Sequence, residues 1–171
     1  SADILHDHNA MNLGKNRITI STSGILPKIR QFIKDKKSYK LAISLNATDD
    51  MTRTKIIPIN KKWNIQMIMN ELEKYPSDKK NMVMLEYVLL KNINDSVKDA
   101  ERLSSYANYL HCKVNVIPFN DIGNEYSRPD EDTINQFLDV LRKNQKHYQT
   151  LVRWSKGVDI EAACGQLSTI S

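Results

Sequence analysis

Five short runs rich in aliphatic and β-branched residues punctuate the chain: Arg17–Ser21 (RITIS), Leu41–Asn46 (LAISLN), Met82–Leu90 (MVMLEYVLL), Lys113–Phe119 (KVNVIPF) and Thr150–Trp154 (TLVRW). Several are nearly continuous apolar stretches, which suits strands of a parallel sheet covered on both faces. Between them, apolar residues recur at helical spacing. Pro27 sits at a first-turn position of a helix running to Lys34, with Ile29, Phe32 and Ile33 on one face. Asn64 is placed to cap a second helix with Ile65, Ile68, Met69 and Leu72 inward. Asp95 or Ser96 is placed to cap a third, with Ala100, Leu103, Ala107 and Leu110 inward. Past Ser127 and Pro129, the acids Asp130, Glu131 and Asp132 fill a first turn, where they favour the positive end of the helix dipole. Ile134, Phe137, Leu138 and Leu141 form the apolar face that follows.

The pattern is β-α repeated four times, then a last strand and a tail. Such alternation predicts right-handed crossovers and an α/β fold with a mostly parallel sheet. Five strands are too few for a closed eight-stranded barrel, so an open sheet or a partial barrel is expected. The first strand would then carry an unpaired edge, which natural sheets cover. The sequence starts at Ser1 without Met, and the expectation is one domain cut from something longer. No run of ~18 apolar residues predicts a membrane span, and Ser1-Ala2-Asp3-Ile4 does not read as a signal peptide.

Charge adds a modest hint. The 171 residues carry a formal net charge of +5, and the basic residues cluster: Lys34, Lys36, Lys37 and Lys40; Lys61 and Lys62; Lys79 and Lys80; Arg142, Lys143 and Lys146. Most such clusters are solvated surface, yet a basic chain suits a polyanionic partner better than a neutral one. Two cysteines, Cys112 and Cys164, form no C-x-x-C pair, so neither a zinc site nor a disulfide scaffold is expected, and a cytosolic protein with free thiols is. The glycine-rich nucleotide loops are absent. His6-Asp7-His8 is too contiguous to converge on one ion.

In α/β sheets, ligands sit beyond the carboxyl ends of the strands. There this chain places Ser21-Thr22-Ser23-Gly24, Ser44-Leu45-Asn46-Ala47 and Ile117-Pro118-Phe119-Asn120. Their hydroxyls and amides suit a ligand with hydroxyls and an amino-acid head, although turns favour the same residues. Glu86 interrupts an apolar run and reads as a structural residue paired with a basic side chain of the sheet. Cys112 reads as packed. Cys164, among the small residues Ala162, Ala163 and Gly165, is either an inert thiol or a nucleophile open to a bulky electrophile.

Together, RITISTSGILPKIRQ (Arg17–Gln31), LAISLNA (Leu41–Ala47), RTKIIPINKKWNI (Arg53–Ile65), EYVLLKNINDS (Glu86–Ser96), CKVNVIPFN (Cys112–Asn120) and DIEAACGQL (Asp159–Leu167) resemble the RlmN/Cfr family of radical S-adenosylmethionine (SAM) methyltransferases, in the family's order and over about residues 10–167. The resemblance implies the C-terminal half of a partial (β/α) barrel with helices on its outer face. The cluster-binding half and an N-terminal accessory domain would lie outside it. It implies SAM contacts at Ser21, Ser44, Leu45, Asn46 and Asn120, with Cys164 as the methyl-accepting cysteine. The 4Fe–4S cluster of such enzymes is held by a C-x-x-x-C-x-x-C motif that these residues do not contain, so this chain alone is expected to be inactive.

The implied reaction methylates C2 of an adenosine in 23S rRNA and in tRNAs. Cys164 takes a methyl group from one SAM, a radical from a second SAM activates it, and a further cysteine resolves the adduct through a disulfide. Two alternatives stay open: a Cfr-like enzyme acting on C8, or a non-catalytic half-barrel that binds its missing half or self-associates through the exposed sheet edge. Three departures from the family pattern stand out: Asn46 in place of a His, Asp121 in place of a Pro, and Trp154-Ser155-Lys156 in place of a more basic triplet.

Overall fold

A computed structural model describes residues 18–36, 39–76, 82–120 and 125–154. In chain order the elements are β1 (Thr19–Thr22), α1 (Leu26–Lys34), β2 (Lys40–Ser44), α2 (Asp50–Ile56), a 3-10 turn (Pro58–Lys61), α3 (Ile65–Leu72), β3 (Met84–Leu89), α4 (Val97–Leu110), β4 (Lys113–Pro118), α5 (Glu131–Lys143) and β5 (Gln149–Val152). The five strands form one sheet in the order β1-β2-β3-β4-β5, and every neighbouring pair is parallel.

Strands added successively in one direction by right-handed crossovers put every connecting helix on the same side. The core shows this. Leu41, Ile43, Leu85, Tyr87, Leu89, Val114 and Val116 from one sheet face pack in a single cluster with Leu26, Ile29, Ile68, Leu72, Leu103, Phe137 and Leu141 from the helices. The opposite face is only partly covered: β3 and β4 alternate half-buried and buried along their whole length. The expectation of a sheet covered on both faces is therefore corrected. Met84, Val88 and Ile117 make the runs look continuous, but they lie on the open side. Pairing partners share a face, so Ser44, Glu86, Asn115 and Leu151 form one row across that open side.

The helix starts follow local chemistry. Asn64, Ser96 and Asp130 each accept a hydrogen bond from the backbone N–H three residues on. Of the two candidates for the α4 cap, Ser96 takes the role; Asp95 instead accepts from the N–H of Asn92 at 3.1 Å. Helix α2 is absent from the hydrophobic pattern. Asp49 caps it, and its buried side chain is a charged one, Arg53, which no apolar periodicity can register.

Asp99, in the first turn of α4, joins the sheet end to the helix layer. Its Oδ1 accepts from Thr48 Oγ1 at 2.7 Å and from Arg102 Nη2 at 2.7 Å, and its Oδ2 accepts from Ser96. Burial pushes this carboxyl up, but the bonds from Ser96, Thr48 and Arg102 outweigh it and hold it below the ordinary carboxylate value. The stability it contributes is complete above the unfolded pKa of about 4 and is lost as pH falls through the depressed folded value. Urea titrations from pH 7 to pH 2 should show a progressive fall in stability below about pH 4, and Asp99→Asn should flatten it. At pH 7 the same variant should cost about 1–3 kcal/mol.

Candidate functional site

The open face at the carboxyl ends of β1, β2 and β3 gathers three side chains from distant parts of the sequence. Ser21 Oγ donates to Glu86 Oε2 at 2.7 Å, Ser44 Oγ reaches the same oxygen at 3.5 Å, and the two hydroxyls lie 3.4 Å apart. Parallel register causes this. Ser44 sits directly beside Glu86, and Ser21 comes from the neighbouring strand on the same face. Glu86 does not pair with a basic residue of the sheet, contrary to the expectation from sequence; its partners among the described residues are these serines.

Beyond Ser44 the chain turns through Leu45 and Asn46. Leu45 buries its side chain in the core and offers only its backbone: its N–H donates to Glu86 O at 2.9 Å, and its carbonyl accepts from Arg53 Nε at 3.0 Å. Asn46 adopts the left-handed conformation (φ 55°), which Asn tolerates better than most residues. Its Oδ1 accepts from Val88 N–H at 3.0 Å, so the side chain continues the β2–β3 ladder where the backbone has turned away. Asn94, fully buried, locks this splice: its Nδ2 donates to Asn46 O at 2.7 Å and to Val88 O at 2.8 Å, while its Oδ1 accepts from Leu90 N–H at 2.7 Å.

Arg53 is the residue that pattern reading missed. It is 0% exposed, and its guanidinium donates to four oxygens: Leu45 O at 3.0 Å, Ser44 O at 3.2 Å, Ser23 O at 2.7 Å and Asn60 Oδ1 at 2.9 Å. Three of these are backbone carbonyls at the tips of β1 and β2. Asn60 is in turn held by the carbonyl and carboxylate of Asp50 and by Thr54. Burial pulls the Arg53 guanidinium down to about 10, against the raising influence of Asp50. Gly24 makes this packing possible. Its φ is 99°, and a Cβ there would lie 2.5 Å from Ile68 Cδ1 and 3.2 Å from Arg53 Nη2.

Asn120 lies two residues past β4, at the same end of the sheet, half-buried and without a hydrogen bond to another described residue. It does not touch the serine pair, from which β3 separates it. Cys164 lies outside the described residues. Cys112 is fully buried, and burial pushes its thiol up to about 12, which leaves it inert at neutral pH. Among the described residues no group of three or more His, Cys, Asp or Glu could hold a metal ion. The rim instead offers polar groups able to donate and accept hydrogen bonds: the hydroxyls of Ser21 and Ser44, the Glu86 carboxylate and, farther along, the amide of Asn120.

At the far end of the same rim, Trp154 is 47% exposed, with the Arg128 guanidinium 5.9 Å from its ring centroid. Arg128 also pairs with Glu131, which steadies it.

No protein-family model matches the chain. It is 42% identical to the dual-specificity RNA methyltransferase RlmN of Nautilia profundicola over 165 residues, covering 96% of this chain and 46% of that protein. Against the RlmN of Helicobacter pylori (strain G27) the identity is 43% over 161 residues, covering 94% and 44%. In three dimensions it matches the crystal structure of a radical SAM methyltransferase from Sphaerobacter thermophilus with a TM-score of 0.86 and 38% identity, covering 96% of this chain and 48% of that one. The chain spans about half the length of the curated relatives it matches. By sequence and by fold it is a homologue of the RlmN-type radical SAM methyltransferases.

Proposed function

We propose that this chain is the C-terminal, SAM-holding half of a radical SAM barrel that methylates C2 of an adenosine in 23S rRNA and tRNA, working in the cytoplasm. The observation that carries the reading is the convergence of Ser21 and Ser44 on one open rim, at the strand ends where parallel sheets generally take their ligands. When bound, SAM supplies the methyl group and, on reductive cleavage, a radical able to activate a carbon that polar chemistry leaves inert.

The roles of the chain's own groups follow from their positions. Ser21 and Ser44 hold ligand hydroxyls or the amino-acid head. The Leu45–Asn46 backbone, fixed from below by Arg53 and Asn94, keeps that edge in place. Asn120, without a described partner, offers both a donor and an acceptor to a purine edge. Cys164 accepts the methyl group at sulfur. The flat face of Trp154 beside Arg128 suits stacking of an unpaired RNA base, and the basic surface suits its phosphates. Cytoplasmic action agrees with the RNA substrate; no helix among the described residues is long and apolar enough to cross a membrane.

The test is nucleoside mass spectrometry of rRNA and tRNA treated with the whole protein, SAM and reductant. Formation of 2-methyladenosine is expected; unmodified adenosine overturns the reading.

A further inference from the structure

Glu86 poses an electrostatic problem that its neighbours leave unsolved. It lies in the middle strand of the sheet, half-buried, with Met84 and Val88 flanking it on the same face. A carboxylate there loses part of its hydration and needs a partner. The ion pairs among the described residues do not include it, although Lys40 and Lys113 occupy the same face by register. What it has is two hydroxyls, from Ser21 and Ser44, and both converge on Oε2. Oε1 accepts from no described residue. Neutral hydroxyls orient a carboxylate without cancelling its charge, so a fixed negative charge stands at the floor of the rim.

We infer that Glu86 is the charge-selecting residue of the cosubstrate site, favouring the cationic sulfonium form over its neutral thioether product. The inference rests on the SAM reading above and adds a residue and a selectivity to it. SAM carries an ammonium, a carboxylate and a sulfonium, leaving one net positive charge. S-adenosylhomocysteine, the thioether left after methyl donation, has the same adenosine and amino-acid groups and no net charge. A ligand held by Ser21 or Ser44 lies within one side chain of Glu86, where opposite charges attract appreciably at the dielectric of a half-buried site. Loss of the methyl group removes the sulfonium's share of that attraction and leaves the ammonium and the hydrogen bonds intact. The device therefore favours exchange of spent product for fresh cosubstrate without any movement of the chain.

Calorimetric titration of the whole protein with each ligand tests this. Glu86→Gln keeps the shape and an acceptor oxygen but removes the charge. SAM affinity should fall roughly tenfold while S-adenosylhomocysteine affinity changes less than about twofold, so that the preference collapses. A loss shared equally by both ligands, or no change in either, overturns the charge-selection role while the SAM site stands. Absence of binding of both ligands to the unsubstituted whole protein overturns that site and this inference together. Should Glu86→Gln fail to fold, salt decides on the unsubstituted whole protein. Raising NaCl from about 0.05 to about 0.5 M should weaken SAM binding more than thioether binding; equal weakening overturns the role.

Discussion

Arg53→Met should destabilise the fold by about 2–5 kcal/mol and abolish ligand binding at the rim, even though methionine fills much of the same space. Two effects oppose each other. Burial makes the guanidinium harder to keep charged, so removing it recovers a few kcal/mol of desolvation. Against that, Leu45 O, Ser44 O, Ser23 O and Asn60 Oδ1 all lose their donor in a site with little access to water. Unsatisfied buried acceptors cost about 1–3 kcal/mol each, and four of them exceed the recovery.

Arg53→Lys should restore only part of the loss. One ammonium cannot span the tips of two strands and the Asn60 amide as a planar fork does. Urea unfolding with a two-state analysis gives the stability change directly. A loss under about 1 kcal/mol would mean that water replaces the guanidinium and that the rim does not depend on it.

The other large effect concerns Cys164. In the methylation assay of the whole protein, Cys164→Ala should abolish 2-methyladenosine altogether, because the alanine methyl group has no lone pair with which to accept a methyl cation. Cys164→Ser should be equally inactive: a neutral hydroxyl is a far poorer nucleophile than a thiolate near pH 7. Both variants should retain SAM affinity, since the proposed contacts lie at the strand tips, and that separates a lost nucleophile from a lost fold. Residual product at a tenth or more of the normal rate would remove Cys164 from the mechanism.

The sequence carried the scaffold in its apolar runs because a strand is defined by a handful of consecutive β-formers, and each of the five was legible to within about two residues. Caps were legible for the same reason: Asn64 and Ser96 act through their own backbone neighbours. Helix α2 and Arg53 were not, because a charged residue at the buried position breaks the apolar period that reveals a helix. Glu86 was visible as an anomaly, yet its partners were not. A carboxylate in an apolar run announces a need for compensation, and only register shows that Ser21 and Ser44 supply two hydroxyls in place of a cation. Asn46 illustrates a third case. Its left-handed backbone and its bond to Val88 N–H together explain an amide at that turn, and neither can be read from composition.

A cosubstrate seated on the carboxyl-end rim of this sheet, as proposed, would perturb the backbone amides that line it. Amide NMR of the isotopically labelled chain during a SAM titration tests it residue by residue. Saturable shifts should concentrate at Ser23, Gly24, Leu45, Asn46, Val88 and Asn120, with Lys113 and Gln149 at the opposite end unmoved. Shifts confined to that opposite end, or to the helix layer, would contradict it.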